Sequence, residues 1–190
     1  MSEIDQILLD FGISESFDEN DYYVSKSNYF AKNILETWPQ WEKKIVNLTG
    51  EKYSGKTHLS TIFKIKSNAL YLLSKNIDNS TLKKIKLSNS IIIEDLDDTF
   101  DEKLLYSIFN LVEQDNKYLI ITSRVPLVEI DFKLNDLKSR SKNFLLQKIN
   151  MPDDELMFAI ILKNFSDRQI SIDKKLIELQ EQLSLTINLS

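Results

Sequence analysis

Gly50-Glu51-Lys52-Tyr53-Ser54-Gly55-Lys56-Thr57 reads G-x-x-x-x-G-K-T. The apolar run from Ile45 to Thr49 leads into it, and an amphipathic run from Thr57 to Lys66 leads out. That is the strand, loop and helix order of a phosphate-binding P-loop. Glycine lets the backbone curl so that successive N–H groups face an anion. A helix that begins at the loop adds the partial positive charge of its N-terminus. Lys56 is placed to reach the β- and γ-phosphates of ATP or ADP, and the Thr57 hydroxyl to hold Mg²⁺. The chain has three glycines, and two of them, Gly50 and Gly55, lie in this window. Gly50, Tyr53, Ser54, Gly55, Lys56, Thr57 and His58 are the nucleotide contacts expected here, with Tyr53 standing where such loops often carry glycine.

The pattern around the loop predicts alternating helices and strands. A helix is expected from about Asn28 to Thr37, capped by Ser27 or Asn28 and stopped by Trp38-Pro39. The nearby aromatics Tyr22, Tyr23, Trp38 and Trp41 fit either an adenine pocket or, better, ordinary core. Strands are expected at 69–73, 90–93, 118–121 and 143–149, beside the one at 45–49. Helices are expected at 81–86 with Ser80 as cap, 101–115, within 131–141, and from Pro152 to about Phe165, with a further helical piece near Ile172. Ser90-Ile-Ile-Ile93 is apolar on both faces, as a buried parallel strand is. It runs into Glu94-Asp95, the Walker B arrangement, in which one carboxylate serves Mg²⁺ and its neighbour orients the attacking water. Thr122-Ser123 at the end of the next strand fits a hydroxyl that senses that water or the γ-phosphate. Strands alternating with helices imply an α/β fold with a parallel five-stranded sheet, helices on both faces, and the ligand at the strands' C-terminal ends.

Composition narrows the function. The net charge of −5 argues against a broad electrostatic nucleic-acid footprint and against an anionic membrane surface. The absence of cysteine and the single histidine, His58, leave no disulfide, Cys-based zinc site or multi-histidine metal centre to consider. No run approaches membrane-spanning length, and the acidic start Met1-Ser2-Glu3-Ile4-Asp5 is unlike a signal peptide, so a cytoplasmic location is expected. Residues 1–20 read as a tail, 21–150 as the nucleotide-binding domain and 151–190 as a partial helical lid. Within the tail, Gln6-Ile7-Leu8-Leu9-Asp10-Phe11 is an apolar cluster that wants a pocket, on its own domain or on a partner.

The ordered set of Walker A, Walker B, a Ser/Thr sensor and an arginine before the fifth strand resembles the AAA+ ATPases, and within them the DnaA/Hda group. The likeness is carried by Val24 to Asn28 with Ala31, Gly50 to Leu59, Ile91 to Asp95, Ile121 to Pro126 and Asp136 to Arg140. Met151 to Glu155 and Asp167 to Ile170 extend it into the lid. The resemblance implies that Tyr23 and Val24 join the nucleotide contacts and that Thr57 and Glu94 serve the metal. Asp95 and Ser123 would then act on the attacking water, and Arg140 as an arginine finger across a subunit interface. The tail segment resembles the motif by which Hda-like proteins hold the DNA polymerase sliding clamp. There Gln6 would bond at a pocket rim while Ile7, Leu9 and Phe11 fill an apolar cleft. Gln182 to Leu185 is a weaker second match, better read as a helix end or tail.

The group's initiators carry a C-terminal helix-turn-helix domain. Here the chain ends at Ser190, so an Hda-like regulator is expected: bound to the clamp, promoting ATP hydrolysis by DnaA, without sequence-specific DNA binding of its own. Two departures stand out. Glu94 replaces the usual Asp, and the lid is short. A short lid implies weaker nucleotide binding, slow or absent hydrolysis by the chain itself, and an apolar face that favours homo-oligomers. A stand-alone, helicase-loader-like P-loop ATPase and a nucleotide-binding scaffold without hydrolysis are the alternatives.

Overall fold

A computed structural model describes residues 22–167. Their order is α1 (Tyr29–Glu36), β1 (Ile45–Thr49), α2 (Lys56–Ser67), β2 (Leu70–Leu73), α3 (Thr81–Leu87), β3 (Ser90–Leu96), α4 (Glu102–Gln114), β4 (Tyr118–Ser123), α5 (Asn135–Ser141), β5 (Leu145–Lys148) and α6 (Asp154–Asp167). The five strands form one sheet in the order β2-β3-β4-β1-β5, and every neighbouring pair is parallel. This is the expected α/β architecture.

Hydropathy decides which strands are central. Every residue of β1 is buried, as are nearly all of β3 and β4, because helices cover both faces. The edge strands β2 and β5 are only partly covered. Alternation then divides the apolar side chains between two cores. On one face Val46, Leu48, Ile92 and Ile120 meet Leu59, Ile62 and Phe63 of α2 and Ala31 and Leu35 of α1. On the other, Ile45, Ile91, Ile93, Leu119 and Ile121 meet Ile85 of α3, Leu105, Ile108 and Phe109 of α4 and Leu137 of α5. Trp41 stacks on Phe63, and Trp38 meets Phe63 and Tyr118 edge-on, so both tryptophans are core residues.

The crossover from β1 to β2 runs through α2 on the first face, whereas that from β4 to β5 runs through α5 on the second. Connections leave the adjacent strands β1 and β4 in opposite directions, which opens a crevice at their C-terminal ends.

Several local expectations are revised. Strand β3 continues through Glu94 and Asp95 to Leu96 instead of stopping at Ile93. Pairing steps from Ile93↔Ile121 to Leu96↔Ser123, so β3 carries one residue more than β4, a bulge at the acidic pair. Ser80 makes no side-chain cap. Asp78 does that work, accepting from the Thr81 N–H at 3.0 Å and from the Thr81 and Ser80 hydroxyls. Asn28 occupies the cap position of α1 but turns back, accepting from the Ser25 N–H and donating to the Tyr23 carbonyl. Asp101 caps α4 as its position before the amphipathic run implies. The last helix begins at Asp154, two residues past Pro152, with Asp153 accepting from the Leu156 N–H. The tail segment Gln6 to Phe11, the piece near Ile172 and Gln182 to Leu185 lie outside the described residues.

Candidate functional site

The loop between β1 and α2 occupies the crevice. Gly50 is its tight entry: a Cβ there would lie 2.5 Å from the Ile149 carbonyl oxygen and 2.7 Å from Ser54 Oγ. Its N–H donates to the Ser123 carbonyl, tying the loop to β4. Tyr53 and Gly55 take left-handed φ values of 68° and 95°, and Gly55 is the residue from which α2 starts. Tyr53 is 83% exposed, so its ring reaches away from the loop's inner side. Tyr22 lies against Gly55 and meets His58 edge-to-face at 5.1 Å between centroids. Its buried hydroxyl finds no hydrogen-bond partner of good geometry among the described residues. Burial pushes that phenol well above its usual range, partly offset by nearby Asn28. Tyr23 and Val24 are both exposed beside it.

Lys56 is buried, and its ammonium donates to the Gly50 and Glu51 carbonyls at 2.8 Å each. Burial pulls its pKa below the ordinary lysine value. The Asp95 and Glu94 carboxylates oppose that shift, and the charge of Arg124 adds to it. Ser54 Oγ is buried without a partner among the described residues. An orphaned hydroxyl, a left-handed glycine and an ammonium satisfied only by carbonyls make a cradle whose donors suit a phosphate group.

The acidic pair divides its work. Glu94, 2% exposed, faces α2, where its Oε1 accepts from the Thr57 hydroxyl at 2.7 Å and its Oε2 from the Ser60 hydroxyl at 2.8 Å. Thr57 and Glu94 therefore meet directly, as two hard oxygen donors at the loop. No cluster of three or more metal-ligating side chains is found among the described residues. The pair suits a magnesium ion that takes most of its ligands from phosphate and water. Asp95 sits in the bulge at φ 55°, held by its own N–H donating to Thr122 Oγ1 and its carbonyl accepting from the Ser74 hydroxyl. Its carboxylate is exposed at the crevice. Burial first, and then the Glu94 and Asp95 carboxylates, push the Tyr71 phenol on β2 up to about 12.

Two sequence candidates stand elsewhere. Ser123 Oγ accepts from Asn47 Nδ2 at 2.9 Å, on the α4–α5 side of the sheet. Thr122 is the strand-end hydroxyl on the α2 side, and it is the one that touches the acidic pair. Side-chain alternation is the reason: Thr122 follows Ile120, whereas Ser123 follows Ile121. Arg140 lies on α5, on the side of the sheet away from the P-loop helix. Its Nη1 pairs with Glu113 at 2.9 Å, its Nε with Asp136 at 2.6 Å, and its guanidinium lies over the Tyr106 ring. The structure thus brings Gly50, Ser54, Gly55, Lys56, Thr57, Glu94 and Asp95 together, and leaves Ser123 and Arg140 outside that group. Of the two hydroxyls Thr122-Ser123 that the sequence offered at the end of β4, it is Thr122 that meets the acidic pair.

No family model matches the chain. Among curated proteins, the chromosomal replication initiator DnaA of Helicobacter hepaticus is 25% identical, covering 83% of this chain and 40% of its own length. DnaA of Borreliella afzelii is 28% identical, covering 67% and 31%. The chain thus spans less than half the length of these relatives. Among solved structures, a DNA replication initiation factor superposes with a TM-score of 0.70 at 19% identity, over 90% of this chain and 62% of that one. A replication initiator DnaA bound to AMPPCP and single-stranded DNA gives 0.68 at 18% identity, over 90% and 63%. Domain III of Thermotoga maritima DnaA gives 0.67 at 18% identity, over 85% and 78%. No helix among the described residues is long and apolar enough to cross a membrane. Fold, ordered motifs and curated relatives agree: the chain is similar in sequence to part of the DnaA replication initiators and shares the fold of the solved structures above.

Proposed function

We propose that this chain is a nucleotide-binding regulator of replication initiation that works in the manner of Hda, held on the polymerase sliding clamp and promoting ATP hydrolysis by DnaA. The observation that carries the nucleotide reading is the contact of Thr57 with Glu94 beside the buried ammonium of Lys56. The loop N–H groups and Lys56 bind the phosphates of ATP or ADP. Thr57 and Glu94 hold Mg²⁺, which when bound supplies positive charge to those phosphates. Asp95, fixed by Thr122, orients water at the crevice. The clamp tether is supported by the segment Gln6, Ile7, Leu9 and Phe11. Arg140 is the residue offered to the initiator, and it must leave Glu113 and Asp136 to act. We place the protein in the cytoplasm and allow it to self-associate through its lid.

The test has two arms. Lys56→Ala is expected to weaken ADP binding by calorimetry, and unchanged affinity argues that the loop is vestigial. Leu9→Ala with Phe11→Ala is expected to abolish binding to the purified clamp while leaving ADP affinity alone. A wild type that ignores the clamp removes the tether from the proposal. A second reading, a scaffold that binds nucleotide without hydrolysing it, is favoured by the full commitment of Glu94 to Thr57 and Ser60. Under it, DnaA turnover is the same with and without this chain.

A further inference from the structure

We infer that the acidic segment Asp18-Glu19-Asn20-Asp21 is a tethered competitor of the nucleotide, its carboxylates contending with the phosphates of ATP or ADP for the donors of the β1–α2 loop. The inference rests on the nucleotide-binding reading above and adds a regulation to it.

Charge is the first argument. Residues 1–21 hold seven Asp or Glu and no Lys or Arg, whereas Lys and Arg outnumber Asp and Glu in residues 22–190. The net negative charge of the chain therefore comes from this stretch. Asp18, Glu19 and Asp21 put three of those acids directly before Tyr22.

Place is the second. The described chain begins at Tyr22, and Tyr22 lies against the loop. A Cβ built on Gly55 would stand 3.5 Å from its ring, and the ring meets His58, in the first turn of α2, at 5.1 Å between centroids. The backbone that follows is fixed. Asn28 donates to the Tyr23 carbonyl and accepts from the Ser25 N–H, and the Asn150 N–H donates to the Ser27 carbonyl. An extended chain covers about 3.5 Å per residue, so one to four residues suffice to bring each of these carboxylates to the loop. A tether that short gives a weak ligand a high effective concentration.

Chemistry is the third. Ser54, 6% exposed, keeps its hydroxyl without a partner among the described residues. The Lys56 ammonium gives hydrogens to the Gly50 and Glu51 carbonyls and has a third to donate. The N-terminus of the twelve-residue α2 adds its partial positive charge at the same point. A carboxylate accepts from these groups as a phosphate does. It brings fewer oxygens and less charge than a diphosphate, so the segment yields to nucleotide and lowers the apparent affinity instead of closing the site.

The experiment is calorimetry with ADP on the full chain. It compares wild type, the variant Asp18→Asn with Glu19→Gln and Asp21→Asn, and a control, Glu3→Gln with Asp5→Lys, that changes the net charge equally at the start of the chain. Melting temperatures confirm that the substitutions leave the fold intact. Neutralising 18–21 is expected to tighten ADP binding about fivefold, and the control to change it little. Without nucleotide, the Gly55 and Lys56 amide resonances are expected to move in the first variant and to stay in the control. Wild-type affinity in the first variant overturns the competitor while the nucleotide reading stands. Equal gains in both variants overturn it as well, since they show diffuse repulsion of an anion instead of entry into the loop. A chain that binds no ADP in any of the three forms removes the nucleotide reading and this inference with it.

Discussion

The Thr57 hydroxyl donates to Glu94 Oε1 at 2.7 Å, a bond that joins the first turn of α2 to the acidic end of β3. The longer side chain of Glu, in place of Asp, spans the gap between strand and helix. Its second oxygen is taken by Ser60, one turn further along α2.

Removing that carboxylate tests the junction. Glu94→Ala leaves the Thr57 and buried Ser60 hydroxyls without their acceptor and opens a void at a position 2% exposed. A loss of about 2 kcal/mol is expected from the urea midpoint. Glu94→Gln keeps an acceptor and costs less stability, but it lowers the Mg²⁺-dependent part of ADP affinity, read by titration with and without EDTA. An unchanged Mg²⁺ dependence removes Glu94 from the metal site.

Gly50→Ala tests the close approach at the loop's entry. The added Cβ would stand 2.5 Å from a backbone oxygen of Ile149, which cannot swing aside. A stability loss of about 1–3 kcal/mol is expected by chemical denaturation, together with weaker ADP binding. A stability equal to wild type would mean that the β1–α2 loop is looser than described.

The Tyr71 phenol titrates late, at about 12, against 10.0 for a free tyrosine. Above pH 10 the unfolded chain gives up this proton while the folded chain keeps it. The folded state then binds more protons, and stability falls as pH rises from 10 towards 12, having been whole below 10. Tyr71→Phe is expected to flatten part of that decline, with buried Tyr22 supplying the rest. Unfolding free energies on either side of pH 10, with the absorbance of tyrosinate, measure it. An equal decline in the variant refutes the assignment.

Arg140→Ala breaks the pair with Glu113, which ties α5 to α4, and the pair with Asp136 within α5. Both carboxylates are half exposed, so the expected loss is only about 0.5–1 kcal/mol by thermal or chemical denaturation. ADP binding is expected to stay unchanged, and stimulation of DnaA turnover to vanish. Retained stimulation sinks the finger role and leaves a structural ion pair.

Much of this molecule was legible in the chain. G-x-x-x-x-G-K-T between an apolar run and an amphipathic one located the loop, since backbone curl and helix start are local properties of Gly50, Gly55 and the residues after them. The continuous apolar runs of β1, β3 and β4 announced buried parallel strands because helices must cover both their faces. Those same runs concealed which face each residue took. Without polar alternation, nothing in Ile121-Thr122-Ser123 says that Thr122 turns to α2 and Ser123 to Asn47. The bulge at Glu94-Asp95 was equally hidden, since it is a mismatch of register between two strands and not a property of one.

Local physics, then, was enough for the elements, the sheet's class and the anion-binding loop. Tertiary structure decided how the polar side chains were shared out. Glu94 found Thr57 and Ser60 across the gap from strand to helix, and Arg140 found Glu113 on a neighbouring helix. Such pairings depend on distances between elements far apart in the chain, which the order of residues does not contain until the sheet and its two cores have formed.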